Sequence, residues 1–449
     1  MNRRRRPRTF AAALLLALAA AGPARADYGT DQTTYAAQGR YDLIERQVEE
    51  LQAKGPLRTR DQHALCFAYS KLKRHDKLMP CLDKMEALIR QGDRRTRLFG
   101  LDDATPTVYL MRAEALIDLG DAAGARRQAS EALLWLRKEN SEDHDMVVNA
   151  YALLALALAQ QGDGAQARQT VGLLKDFRVS TDFRRAKAMA LARAQMAIGA
   201  WAEVLATLES SEASFRFDAM LDRFLSGAAF SGRNNWMWVE LPRAYMQHKA
   251  ELEVGRVPAA RAGLDRLLAL PELRAHGELH WQVLLDRAVI AERDGDAALA
   301  QKLYEQARQV VESQRRSVRS EASKIGFSAD KQQIYRGLVR TSLRQGDNDL
   351  AFQIAEHAKS RALVDMLAQK GDFGMYGPQA ARVQSLFTRF NALDAELSVQ
   401  RPDTTEGSRQ ALRNQWAQAL TELREVAPQL ASLLAPQALT PAEVSRSLN

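Results

Sequence analysis

The chain has 449 residues, enough for two to four average domains or one extended repeat array. With 26% charged and 46% hydrophobic residues it is globular rather than disordered, and 7% aromatics beside abundant Ala and Leu favour helix over sheet. Two cysteines exclude a disulfide-dense scaffold and an all-cysteine zinc site built from one chain.

The formal charge of +8 is concentrated at the N-terminus. Residues 1–26 hold six Arg and no acid; without them 57 Lys and Arg face 55 Asp and Glu, a net of +2. That balance removes the electrostatic argument for nucleic acid or an anionic membrane as partner.

Residues 1–26 read as a secretory signal. Arg3–Arg6 and Arg8 form the basic region, Phe10–Ala21 the apolar region, and Ala24-Arg25-Ala26 a small-x-small cleavage site before Asp27. The apolar run is too short to span a bilayer, and no later stretch is apolar enough to do so. The expected location is the bacterial periplasm or the outside of the cell.

Next comes a recurring turn: Leu119-Gly120-Asp121, Gln161-Gly162-Asp163, Ile198-Gly199-Ala200, Val254-Gly255-Arg256, Asp294-Gly295-Asp296 and Gln345-Gly346-Asp347, with Gln38-Gly39-Arg40 a weaker copy. Five residues after the glycine stands a small or β-branched residue: Ala125, Ala167, Val204, Ala260, Ala300, Ala351. Seven before it stands Ala113, Ala155, Ala192 or Ala288, and twelve after it Ala132, Ala307 or Ala358. Such spacing suits antiparallel helix pairs: Gly releases the first helix and small residues let the two backbones approach. The pattern resembles the tetratricopeptide repeat, with glycine spacings of 42, 37, 56, 40 and 51, against about 34 for that repeat. The fold class expected is all-α, a solenoid of helical hairpins over 27–370. The longest gap contains the stretch Ser231–Trp238, read as irregular, in which Trp236 and Trp238 suit packing better than a binding anchor.

Past a break at Gly371–Pro378, residues 379–399 and 407–426 read as a long helical hairpin within 371–427. Residues 428–449 read as a linker toward a further domain. Within it, Thr440-Pro441-Ala442-Glu443 is a capping box that opens a helix.

A sharper resemblance lies in Ser317-x-Arg319-Ser320-Glu321-Ala322-x-Lys324-Ile325-x-Phe327, Lys331-x-x-Ile334-Tyr335-x-x-Leu338-Val339 and Ala355-Glu356-x-Ala358-Lys359-Ser360-Arg361-Ala362-Leu363-Val364-Asp365. This resembles the region that precedes the CHAT domain in bacterial TPR–CHAT proteins, and Leu430–Val444 is similar to the stretch leading into that domain. The resemblance covers roughly the last third of the chain. It implies a caspase-like cysteine peptidase domain beyond residue 449, so no catalytic residue is carried over and this chain is not expected to be an enzyme. It implies a recognition or regulatory arm that binds a protein or peptide, with a CHAT domain in the same or a separate chain as possible partner. A stand-alone periplasmic scaffold is the alternative, and an enzyme with an unrecognised site the third.

The candidate groove side chains, on the first helix of each pair, are Asn149, Arg193, Tyr245, Lys249, Arg336 and Arg340. Cys66 and Cys81 come level on helices of about 61–73 and 77–90 if the hairpin turns near 73–74. An oxidising compartment favours a disulfide there over two buried thiols or a zinc site with His63 and His75. Apolar helical surroundings argue against either as a peptidase nucleophile. His276 and His280 offer a metal half-site at best and read as a surface helix start. Arg315, Arg316 and Arg319, with Arg336, Arg340 and Arg344, read as a solvated face paired with Glu312 and Glu321, or else as an anion-binding or docking face. No cofactor and no metal is expected.

Overall fold

A computed structural model describes residues 40–94, 103–139, 141, 143–211, 236–275, 277–315, 331–355, 374–398 and 406–434, with the isolated positions 32, 35, 36 and 358. The signal segment, Gly39, Ser231–Asn235, His276, the family-like run 317–327, the Arg401–Gly407 turn as far as 405, and the tail from 435 lie outside the described residues.

The described chain is all-α. The helices are α1 Tyr41–Lys54, α2 Thr59–Lys71, α3 His75–Arg90, α4 Thr105–Asp118, α5 Ala122–Lys138, α6 His144–Gln160 and α7 Gly164–Asp176. They continue as α8 Arg184–Ala197, α9 Trp201–Ser210, α10 Trp236–Glu253, α11 Val257–Leu268, α12 Pro271–Ala275, α13 Gly277–Arg293 and α14 Ala297–Arg315. Then come α15 Gln332–Arg344, α16 over 348–355, α17 Ala380–Ser398, α18 Glu406–Val426 and α19 Pro428–Leu434. No helix of the described residues is long and apolar enough to cross a membrane.

The turn glycines drive the pairing. Gly120, Gly162, Gly199, Gly255, Gly295 and Gly346 all sit at positive φ, between 71° and 85°. In each turn two amides close back onto the helix just ended. Gly120 donates to Ile117 O at 3.0 Å and Asp121 to Leu116 O at 2.8 Å, and the bonds from Gly346 to Leu343 and Asp347 to Ser342 repeat them. This double closure satisfies carbonyls that a helix end leaves orphaned. The aspartate after the glycine then starts the next helix: the carboxylates of Asp121, Asp163, Asp296 and Asp347 accept from the amides of Gly124, Gln166, Leu299 and Leu350. The Gly-Asp pair thus ends one helix and begins the next.

The small residues lie where helices meet. Ala113, Ala125, Ala155, Ala167, Ala192, Ala260, Ala288 and Ala300 are fully buried. One pair departs from the rule and compensates. His248 stands where other repeats have Ala, and Gly263 faces it: a Cβ there would fall 2.2 Å from the imidazole. Likewise a Cβ on Gly337 would fall 2.4 Å from the Tyr304 ring.

Helices α2, α4, α6, α8, α10, α13 and α15 touch one another in a continuous row, each against the next. The second helices of the pairs, α3, α5, α7, α9, α11 and α14, make no comparable row among the described residues. Helices that crowd on one side and splay on the other bend the array, so the first-helix row lines the inner wall.

Helices α17 and α18 are antiparallel neighbours with their own core of Val383, Phe387, Phe390, Leu420 and Leu423, and Trp416 packs on Phe390 at 5.2 Å between ring centroids. Two expectations are corrected. Trp236–Trp238 are not irregular but open α10. Residues 428–434 are not a linker but form α19, which starts on Pro428 and packs Leu430, Ala431 and Leu434 onto the hairpin core.

Gly263→Ala is expected to destabilise the chain by about 1–3 kcal/mol through overpacking. Adding His248→Ala recreates the alanine of the other repeats and should recover most of that loss in urea unfolding.

Candidate functional site

Six residues before each turn glycine, the first helix points a side chain at the inner wall. That row holds Glu114, Leu156, Arg193, Lys249, Val289 and Arg340. Its charged members do not stand alone; each pairs with a group from another repeat.

The N-terminal end centres on Glu114 of α4. Lys73 reaches it at 3.5 Å and Asp118 at 2.8 Å, and Arg193 comes from α8 to within 3.7 Å of Glu114. Lys73 occupies the place of a turn glycine, with φ of 54° and the same backward bonds, from Lys73 to Ser70 O and from Arg74 to Tyr69 O. A left-handed backbone is strained for a lysine. Here it delivers the ammonium to two carboxylates. Lys73, Arg193 and Lys71 together hold the Glu114 carboxyl far below its ordinary 4.5, against the opposing effect of burial. His75 brings its Nε2 to 3.4 Å from Asp118, and burial lowers its pKa against the pull of that carboxylate. Lys71 lies over the Phe67 ring at 5.2 Å.

The middle centres on Asp286 of α13. The Tyr245 hydroxyl donates to it at 2.9 Å and Lys249 at 2.7 Å, while Lys249 also reaches Glu253 at 2.8 Å and lies 6.0 Å from the Trp201 ring centroid. Burial works to lower the Lys249 ammonium, but Asp286 and Glu253 outweigh it and the net shift is upward.

The C-terminal end centres on Glu292, also of α13. Arg340 donates through Nε and Nη2 to both carboxylate oxygens at 2.9 Å, Arg344 adds a contact at 3.1 Å, and the Tyr304 hydroxyl donates at 2.8 Å.

Of the six candidate groove residues, the structure brings Arg193, Lys249 and Arg340 to the inner wall as ion-paired, partly exposed groups. Asn149 donates to Asp145 one turn earlier at 3.3 Å, and exposed Arg336 reaches, among the described residues, only Gln332, at 3.4 Å. Tyr245 needs correction as a ligand contact: it is buried, and its hydroxyl is committed to Asp286. Sequence reasoning missed Lys73, Glu114, Asp118, Asp286 and Glu292. The row six before the glycine already pointed to Glu114; the others needed the packing of neighbouring repeats.

Cys66 and Cys81 are joined by a disulfide between α2 and α3, with Cα atoms 5.6 Å apart. The Gln62 amide donates to the Cys81 carbonyl at 3.2 Å beside it. His63 is buried, and burial pushes its pKa down to about 4. No group of three or more metal-ligating side chains occurs among the described residues. The helix expected at His276–His280 starts at Gly277, but its Leu279 is buried rather than at the surface. Glu312 is buried and accepts from the Tyr335 hydroxyl, and Arg340 and Arg344 pair with Glu292, while Arg316 and Arg319 lie outside the described residues.

Compared with known families and with curated proteins, the chain matches none.

Two outcomes follow from this geometry. Replacing both cysteines with serine should lower unfolding stability by about 2–3 kcal/mol, since the bridge closes a short loop in the unfolded chain; reductant should bring the wild type down to the same value. Glu114 sits below its ordinary range when folded, so as pH falls the unfolded chain binds that proton first. Its stabilisation is complete above about pH 5 and fades in more acid solution. The stability difference between wild type and Glu114→Gln should therefore shrink between pH 6 and pH 3, measured by urea unfolding at each pH.

Proposed function

We propose that this chain is an exported protein- or peptide-binding module of the tetratricopeptide type, with the inner wall as its groove. The observation that carries this reading is the wall itself. Side chains from six successive first helices line it, and Arg193, Lys73 and Glu114 are each roughly one-third exposed or less, at 35%, 27% and 29%. Groups held this way are ordered before a ligand arrives, yet still reach solvent, so an extended or helical segment lying along the row meets preset donors and acceptors.

The signal-like residues 1–26 support export, and a disulfide between Cys66 and Cys81 fits an oxidising compartment. In this reading the chain is the recognition or regulatory arm of a CHAT-type peptidase-like protein and not the catalytic part. The support for that is the family-like sequence between Ser317 and Asp365. The intact mass of the protein from its own cells tests it: a product larger by a caspase-sized domain is expected, and a mass ending at residue 449 would leave a separate scaffold.

Groove binding is tested with an immobilised peptide array probed by the full chain. For peptides that bind, Arg193→Gln with Asn149→Ala should weaken affinity by about tenfold, equivalent to about 1.4 kcal/mol. Leu173→Ser, on the outer helix α7 where this leucine is 53% exposed, should leave it unchanged. If the inner pair has no effect on any bound peptide, the inner wall is not the binding surface.

A further inference from the structure

The charges along the inner wall are uneven, and the unevenness names a ligand. Ten, six and two residues before the turn glycine, α4 places Leu110, Glu114 and Asp118, and α10 places Tyr245, Lys249 and Glu253. α13 places Leu285, Val289 and Arg293 at those positions. Only α15, among the described first helices, has a cation at all three: Arg336, Arg340 and Arg344, each exposed. At 1.5 Å rise per residue they form a ridge about 12 Å long.

The neighbouring carboxylates do not balance this ridge. Glu292 serves both Arg340 and Arg344, and it also accepts from Tyr304. Arg336 has no carboxylate partner among the described residues, only Gln332. Exposed Arg293 adds a further positive charge on the adjoining helix. The nearby aspartates are occupied elsewhere: Asp294 pairs with Arg261 at 2.7 Å, and Asp296 and Asp347 cap the amides of Leu299 and Leu350. Asp349 lies past the turn, on α16.

We propose that the α15 ridge is the subsite for an acidic segment of a protein ligand, whose carboxylates pair with Arg336, Arg344 and the exposed edge of Arg340. This rests on the groove reading above and specifies its ligand chemistry. Guanidinium forks engage carboxylates two bonds at a time, so one Asp or Glu per helical turn of the ridge fits their spacing. Glu292 keeps Arg340 in place from below, and a ligand adds to that pair rather than replacing it. The opposite end, with Glu114 and Asp118 on α4, lacks this excess and takes a different part of the same ligand.

The test uses the full chain and a fluorescein-labelled, Glu-rich peptide, with a Lys-rich peptide of equal length beside it. The acidic peptide should bind, the basic one should not, and affinity should fall steeply as salt rises. Arg336→Gln with Arg344→Gln, which spares the Arg340–Glu292 pair, should weaken acidic-peptide binding by at least about tenfold through loss of two charge-assisted contacts. Arg126→Gln on the outer helix α5 should not, and thermal unfolding of all three proteins should coincide. Unchanged binding in the double variant would overturn the proposal, as would preference for a single-stranded oligonucleotide over the acidic peptide. Should array peptides depend on Arg193 and Asn149 while none depends on Arg336 and Arg344, the groove stands and the acidic subsite falls. Dependence on neither pair removes both.

Discussion

Everything else in the array depends on the left-handed glycine that ends each first helix. An L-residue there meets steric resistance that glycine does not. The two backward hydrogen bonds fix the direction in which the chain leaves, and the aspartate that follows caps the next helix from the same turn. The backward hydrogen bonds recur at all six glycine turns and the aspartate cap at four of them, and together they set the antiparallel packing, the burial of the alanines and the row of first helices. The α2–α3 turn makes the same closure with Lys73 at positive φ. The disulfide between Cys66 and Cys81 ties those two helices just below it. A strained turn with a covalent tie behind it is a stiff mount for an ammonium that serves Asp118 and Glu114.

Close packing of the first helices has an electrostatic consequence. Their outward rows come near enough for side chains of different repeats to pair, and Arg193 of α8 reaches Glu114 of α4 past the whole of α6. Each such pair is partly solvated and individually weak. Their effect lies in order rather than in energy: long side chains that would otherwise sweep solvent are held in fixed places. A groove lined this way loses less entropy on binding than one of free lysines and arginines. Where one carboxylate must serve two arginines, as Glu292 does, the described part of the wall keeps unspent positive charge.

The bulky-for-small exchanges show how the repeat tolerates divergence. His248 occupies the space left by the missing side chain of Gly263, and the Tyr304 ring that left by Gly337. A pattern search that insists on alanine weakens at the His248 repeat, although the packing there is intact.

The sequence by itself determined the helical class, the turns and the hairpin ends. Those features follow from local rules: glycine at a left-handed position, small residues at fixed offsets, and apolar periodicity. The expected helices 379–399 and 407–426 differ from α17 and α18 by one residue at most at each end. The sequence also put Arg193, Lys249 and Arg340 on the first helices, because their distance from the glycine fixes their face. Only the tertiary structure decided what those side chains meet. Tyr245 belongs to the wall's interior because Asp286 of a later helix claims its hydroxyl. Glu292 receives Arg340 and Arg344 because α13 is the inner neighbour of α15. Contacts of that kind join residues about forty positions apart, and the distance between them depends on how tightly successive repeats are wound, which no local pattern encodes.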